Sequence, residues 1–378
     1  MNLRRVLILA DESADWIVAG LRQLDRIALA IDEFAIGNNE TAPVVVCLFW
    51  RPNLDESQRW VPTNPRLTKV GFTNESGPEP YDLVLSTRLF LYRKAIAHLL
   101  EEASPSALPQ PPSWENYAAA VALPGPARAG VCDFIAKGDQ IDGIERRFLR
   151  GSGKSQDGFV SRYLNRPISR AVTRLLLRFP ATPNGWTWLI FPIAVVAAVV
   201  LAAGSYRSFV WGLVLFQVFS ILDGCDGEIA RAKFMESERG RRLDDLFDVL
   251  SNILLALGLG LGLRHAHERF GGFFLAEGIV TASLIALSEW LLARGNPSAA
   301  EPPANLLGGT LYPRHRNLIE RSGLLRFGEH FASVLVQLTK RDVGVLFFLF
   351  LAVVGFPALI LHLLLVVTAV TLAFALKR

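Results

Sequence analysis

Residues 223–231 read Asp-Gly-Cys-Asp-Gly-Glu-Ile-Ala-Arg, and Gly240, Asp244 and Asp248 follow at short intervals. The carboxylates Asp223, Asp226, Asp244 and Asp248 are separated by three, eighteen and four residues. Residues three or four apart share one face of a helix, so each pair can aim its acids the same way. Apolar runs long enough to cross a bilayer lie just before Asp223 and just after Asp248. If both cross, the pairs end two neighbouring spans on one side, and four acids converge near the bilayer surface. Ionisable groups at membrane depth are costly and mark function. Four of them, with no Lys or Arg spaced to neutralise each, point to divalent cations.

The same residues resemble a family. Asp-x-x-Asp-Gly-x-x-Ala-Arg, eight residues, Gly, three residues, Asp, three residues, Asp is the pattern of the CDP-alcohol phosphotransferases, integral membrane enzymes of phospholipid synthesis. Asp223, Asp226, Gly227, Ala230, Arg231, Gly240, Asp244 and Asp248 match every fixed position. The resemblance implies two Mg2+ or Mn2+ ions held by the four aspartates, with Asp248 as general base. Carboxylates are hard oxygen ligands suited to these ions, and a metal pair clamps an in-line displacement. The acceptor hydroxyl would attack the β-phosphorus of a CDP-alcohol and expel CMP. By the same resemblance Asp226, Gly227, Ala230, Arg231 and Gly240 bind CDP, Arg231 through its phosphates. The Thr182-Pro183-Asn184 run with Thr187 would lie near the nucleotide; alternatively, it only ends one helix and caps the next. Cys225 occupies a variable position of the motif and is assigned to packing.

At 378 residues the chain has room for two domains, and its hydrophobic half is unevenly placed. Residues 1–180 are mixed, whereas the remainder is dominated by long apolar runs. The formal charge of +4 is modest, and basic residues cluster beside apolar spans rather than among aromatics. That pattern fits an anionic membrane surface and not nucleic acid. Cys47, Cys132 and Cys225 are too few and scattered for a disulfide framework or a zinc site. The apolar run within residues 1–10 is too short for a signal peptide, so the N-terminal region is expected to stay in the cytosol.

Three segments are expected: an α/β domain at 1–140, a linker with an amphipathic interfacial helix at 141–182, and a transmembrane domain at 183–378. Strands are expected at Arg5 to Ala10, Ala42 to Phe49 and Asp82 to Leu85, with helices at Asp15 to Ile36 and Phe90 to Glu101. Alternating strands and helices argue for a mainly parallel sheet, and the Pro-rich stretch 105–112 reads as a loop. Position and length suggest a nucleotidyltransferase-like domain, which some members of the family carry and use to make their own CDP-alcohol. Such enzymes cradle triphosphate with a Gly-rich loop after the first strand. Asp11, Glu12, Ser13, Ala14 and Asp15 stand there instead, so a degenerate domain is expected. Asp11 and Asp82 are weighed as metal ligands against capping or solvated acids.

After Lys154, Asp157 and Gly158, arginines 162, 166, 170, 174 and 178 recur at i,i+4 and form a drifting stripe on one helix face. They suit anionic headgroups, and Arg162, Arg166, Arg170 and Arg241 are candidates for the phosphate of a phosphorylated acceptor. Six spans are expected: Trp186 to Ala203, Phe209 to Ile229, Leu243 to Leu263, Phe273 to Leu292, Val343 to Val354 and Pro357 to Leu376, the fifth short. Basic residues at 233, 239, 241, 242, 294, 340, 341, 377 and 378 fall on one side, which the positive-inside rule makes cytoplasmic. His265 and His267 fall opposite, where a solvated loop outweighs a metal pair. Residues 295–342 read as a cytoplasmic segment with a possible interfacial helix at 328–339 and basic residues at 314, 315, 316 and 321.

The expected function is transfer from a CDP-alcohol, of the CDP-diacylglycerol or CDP-inositol type, to a polar or phosphorylated acceptor such as inositol phosphate or glycerol phosphate. A membrane lipid environment is expected, at the inner membrane with the site facing the cytosol, and the resemblance makes a homodimer usual. Two alternatives are weighed: a bifunctional enzyme whose N-terminal domain makes the donor from CTP, and a divalent-cation transporter. The transporter would need polar residues along several spans, and the sequence offers few.

Overall fold

Val6 to Ala10 form a continuous apolar run with four residues of no accessible surface, which places the first strand inside a layered fold. This computed structural model describes residues 3–40, 42–74, 80–92, 95–102, 114–115, 131–151, 159–294 and 341–376. The Pro-rich stretch 105–112 and the basic and Pro-rich segment 295–340, with its expected interfacial helix, lie outside the described residues. So do Lys154, Asp157 and Gly158. The chain divides into two units. The first is Met1–Gly151 with Leu177–Pro180 and Arg231–Phe234; the second is Ser152–Leu176, Ala181–Ala230 and Met235–Arg378.

In the first unit, β1 (Arg5–Ala10) begins the chain, and β2 (Ile17–Val18) and β3 (Leu21–Arg22) form a small antiparallel pair before α1 (Gln23–Gly37). β4 (Val44–Trp50), β5 (Val70–Thr73) and β6 (Leu83–Ser86) complete a parallel sheet in the order β5-β4-β1-β6. β7 (Leu89–Leu91) pairs antiparallel with β8 (Cys132–Phe134), and α2 (Ala95–Glu102) and α3 (Ile141–Gly151) accompany them. The parallel α/β expectation holds. Two helix boundaries are corrected. The helix expected from Asp15 begins at Gln23, because Ala19 and Gly20 turn with positive φ (48° and 80°) and open the β2–β3 hairpin. The helix expected from Phe90 begins at Ala95, because Leu89–Leu91 is claimed by a distant strand.

The chain runs from β1 to β4 and β5 on one side, then returns to lay β6 on the other side of β1. Open parallel sheets bind ligands at such a switch point, beyond the carboxyl ends of the strands. Here that crevice holds the protein's own groups. Arg88 Nε donates to Asp11 Oδ2 at 2.6 Å, its Nη2 donates to Glu12, and its Nη1 donates to Ala136 O at 2.7 Å. The Ser13 and Thr87 hydroxyls are 2.7 Å apart and buried. Asp11 also accepts from Ser13 N at 2.9 Å and caps the short turn Glu12–Asp15. Asp82 accepts from Arg4 N and Arg5 N at 2.7 and 2.9 Å, at the opposite end of the sheet. The two acids therefore cap separate backbone segments and cannot share an ion.

Arg26 is fully buried in this unit. It donates to the carbonyls of Val18 (3.0 Å), Ala19 (3.2 Å) and Ala232 (2.6 Å) among the rings of Phe90, Phe148 and Phe234. Burial pushes it down to about 9, with Glu145 acting against the shift. Arg66 Nη1 donates to Lys233 O (2.6 Å) and Phe234 O (2.9 Å). Carbonyls at the end of a helix lack intrahelical donors, and two guanidinium groups supply them here.

The described residues of the second unit are mainly helical. A π-type turn, Ser161–Asn165, leads into α4 (Arg166–Leu176), followed by α5 (Pro183–Ala202), α6 (Tyr206–Ala232), α7 (Glu238–Ala266), α8 (Gly271–Arg294), α9 (Arg341–Val354) and α10 (Pro357–Leu376). All six apolar helices expected from the sequence form. Four of them, α5 to α8, are long and apolar enough to cross a membrane; the apolar stretches Val343–Val354 and Pro357–Ala373 are shorter. α7 packs between α5 and α8 through glycines. A Cβ at Gly258 or Gly262 would meet α5 backbone oxygens at 2.8 or 2.2 Å, and one at Gly260 would stand 3.0 Å from Gly278 Cα of α8. Without a hydrophobic force between helices in lipid, such small-residue contacts supply the packing.

Candidate metal centre

Three helix ends build the centre. Thr182 opens α5 by accepting from Gly185 N at 3.2 Å, with Pro183 in the first turn, and Ser237 opens α7 by accepting from Gly240 N at 3.0 Å. Ser and Thr at these positions satisfy amides that a helix start leaves open. α6 ends in the pattern expected of a left-handed cap: Phe234 has φ 53°, and Met235 N donates to Ala230 O at 2.8 Å. The sharp stop lets the chain reverse into α7, which brings the second pair of aspartates back toward the first.

Asp223, Asp226 and Asp244 each offer a carboxylate oxygen, and these oxygens lie within 4.8 Å of one another. Asp226 is buried; Asp223 and Asp244 are half-buried. Asp248 is half-buried one turn further along α7. Thr187 Oγ1 of α5 lies 2.9 Å from Asp226 Oδ2 and 3.1 Å from Pro183 O, and the Gly227 amide donates to Asp226 Oδ1. Trp186 Nε1 donates to Leu222 O at 2.9 Å, one residue before Asp223. A Cβ at Gly240 would stand 3.1 Å from Asn184 Oδ1, so the missing side chain is what admits Asn184. The rings of Trp188 and Phe191 close edge-on over Phe247, with centroids 4.8 and 4.4 Å away. Three carboxylates this close repel one another strongly, and a hard divalent cation fits that donor set.

Of the sequence candidates, the fold gathers Asn184, Thr187, Asp223, Asp226, Gly227, Gly240 and Asp244. Ala230 is buried and Arg231 half-buried in the last turns of α6. The arginines expected to share one face do not share one environment. Arg162 is exposed, Arg170 is half-buried, and Arg166 is buried and donates to Glu228 Oε1 at 3.1 Å and to Gly224 O at 3.4 Å. Its guanidinium is thus matched to a buried carboxylate in this structure. Arg241 lies on the surface with Glu238 and Asp245 at 2.7 and 3.1 Å. Cys225 is fully buried, its Sγ 3.4 Å from Ser169 O, in keeping with packing. His265 and His267 each direct Nδ1 to a helix carbonyl, Ala202 O and Leu263 O. Sequence reasoning missed Glu228, whose only signal was an acid between two fixed motif positions.

Four membrane-length helices mark a multi-pass membrane protein, and where two of them meet stands a cluster of three aspartates. The family model for CDP-alcohol phosphatidyltransferases matches residues 181–376, more than half of the chain, and the protein belongs to that family of transferases of substituted phosphate groups. Among individual relatives, it is 43% identical over 151 residues to a bifunctional IPC transferase and DIPP synthase of Rubrobacter xylanophilus, covering 40% of this chain and 34% of that protein. A protein of the same name from Thermococcus kodakarensis is 40% identical over 105 residues, covering 28% of this chain and 22% of the relative. The aligned stretches thus span about a third or less of these bifunctional relatives. Inner membrane protein YnjF of Escherichia coli is 31% identical over 147 residues, covering 38% of this chain and 69% of that protein.

Proposed function

We propose that the protein transfers a phosphoalcohol group from a CDP-alcohol to the hydroxyl of an acceptor alcohol, with CMP leaving. The observation that carries this reading is the convergence of Asp223, Asp226 and Asp244 from two helices that bear the complete family motif. These three, with Asp248, would hold two Mg2+ or Mn2+ ions. Bound there, the ions would supply Lewis-acid stabilisation of the charge that develops on the transferring phosphate. Thr187 orients Asp226 by its hydrogen bond. Gly227 and Ala230 keep the α6 surface low enough for a nucleotide to lie against it, Arg231 meets its phosphates, and Asn184 and Gly240 border it. Asp248, set apart by one turn, takes the proton from the acceptor hydroxyl as the new O–P bond forms and the bond to CMP breaks.

The acceptor is polar and phosphorylated, of the inositol phosphate or glycerol phosphate kind, with Arg162 and Arg170 as its phosphate contacts. The donor is of the CDP-diacylglycerol or CDP-inositol type. The carboxylate end of the spans faces the cytosol, on the strength of the basic residues that flank it. Full-length protein with Mg2+ is expected to release CMP from such a donor only when an acceptor is supplied, and Asp248→Asn is expected to lose at least a hundredfold in rate while keeping its fold. Wild-type turnover in Asp248→Asn would remove the base assignment.

A second reading makes the protein bifunctional, as the names of its relatives describe those proteins. The first unit argues for a degenerate nucleotidyltransferase-like domain instead, since its switch-point crevice is occupied by the Arg88 pairs with Asp11 and Glu12. Carboxylates at that place repel triphosphate. CTP-dependent pyrophosphate release by the full chain, given a phosphorylated alcohol, would decide for the bifunctional reading.

A further inference from the structure

The helical segment that precedes the spans is built inside out. Its buried positions are polar (Asn165, Arg166, Ser169 and Thr173), whereas Tyr163, Ile168 and Leu175 are exposed. The polar side meets α6. Gln217 Nε2 donates to Asn165 Oδ1 at 2.9 Å. Glu228, with no exposed surface, accepts from Arg166 Nη1 (3.1 Å) and Ser169 Oγ (2.8 Å) on one oxygen and from Thr173 Oγ1 (2.7 Å) on the other. One turn back, a Cβ at Gly224 would stand 3.1 Å from Arg166 Nη1, so this variable motif position accommodates the guanidinium. A buried carboxylate is costly unless paired and hydrogen-bonded, and Glu228 has both.

On α6, Glu228 lies about 200° round the helix from Asp226 and about 140° from Asp223. The same helix is therefore held on one side by α4 and presents its motif carboxylates on another. Apolar attraction is non-directional, whereas a charged pair with two further hydrogen bonds is directional and fixes the angular setting of the helix. We propose that Glu228 is a positioning residue: with Arg166, Ser169 and Thr173 it fixes the rotation of α6 so that Asp223 and Asp226 meet Asp244. It acts on the centre without touching it. This rests on reading the three aspartates as a cation site.

The test uses the full chain purified in detergent, with Mn2+ as the probe, its binding read by electron paramagnetic resonance and CMP release as a second readout. Glu228→Gln is expected to weaken Mn2+ binding about tenfold and to lower kcat by a similar factor with the donor KM little changed, as small displacements of a site group do. Combining Glu228→Gln with Arg166→Gln is expected to regain part of the lost affinity, because a lone buried charge costs more than an absent pair. Thr173→Val withdraws one hydroxyl and leaves both charges; about threefold weaker binding is expected, and it serves if Glu228→Gln does not fold. A purely structural role would lower the melting temperature while leaving the Mn2+ affinity of folded protein unchanged, and that result overturns the proposal. Absence of Mn2+ binding by the unsubstituted protein would instead overturn the reading of the aspartates, so the two failures are distinct.

Discussion

Thr187 Oγ1 stands 2.9 Å from Asp226 Oδ2, across from one span to the next. The hydroxyl has one proton, and an ionised carboxylate is a stronger acceptor than the Pro183 carbonyl 3.1 Å away. Thr187→Val is expected to lower CMP release about tenfold through loss of a hydrogen bond to a charged group, and Thr187→Ser to restore most of it. Equal rates for the Val and Ser variants would count against the hydroxyl.

Cation binding should show as stability. With Mg2+ at a hundredfold excess over its dissociation constant, the folded state gains about 2.7 kcal/mol. Thermal unfolding of the whole chain is expected to shift upward with Mg2+, to return with EDTA, and to be insensitive to both in Asp226→Asn.

The glycines of α7 give a direct packing test. Gly262→Val forces a side chain against Leu201 O, where even a Cβ would lie at 2.2 Å. A loss of about 1–3 kcal/mol is expected from overpacking. By contrast Gly272, at the start of α8, has no neighbour within 4 Å, and Gly272→Ala is expected to melt as the unsubstituted protein does.

Arg26→Met should unsettle the first unit. It leaves the carbonyls of Val18, Ala19 and Ala232 without this donor in a buried site. Each such group costs about 1–3 kcal/mol. Urea unfolding followed through Trp fluorescence is expected to shift to lower denaturant.

Tyr92 gives a pH signature. Burial, then the Asp133 carboxylate 2.8 Å away, pushes its phenol up to about 12 from 10.0. Between those values the folded state holds a proton that the unfolded state has released, so stability falls as pH rises through that window. The protein is expected to lose stability more steeply there than Tyr92→Phe, and matching slopes in the two would refute the shift.

Much of the fold was legible because its signals are local. The apolar runs at Arg5 to Ala10 and Ala42 to Phe49 named two strands of the parallel sheet, the second observed at Val44–Trp50. The apolar lengths named the six apolar helices, α5 to α10. Leu89–Leu91 was missed because its pairing partner is more than forty residues away and short strands carry little pattern of their own. The α1 start was missed because the turn at Ala19 and Gly20 interrupts an otherwise helical periodicity.

Within the motif, spacing alone indicated that Asp223 and Asp226 share one helix face and Asp244 and Asp248 another, since a helical period is a property of the chain itself. Which side of each helix meets which neighbour depends on packing between segments far apart in sequence. Only the tertiary structure therefore gave Thr187 to Asp226, Asn184 to the space beside Gly240, and Arg166 to Glu228 rather than to solvent. Five arginines with one period looked equivalent in the sequence. Burial separated them, because a guanidinium is matched by the groups around it and not by its place in a repeat.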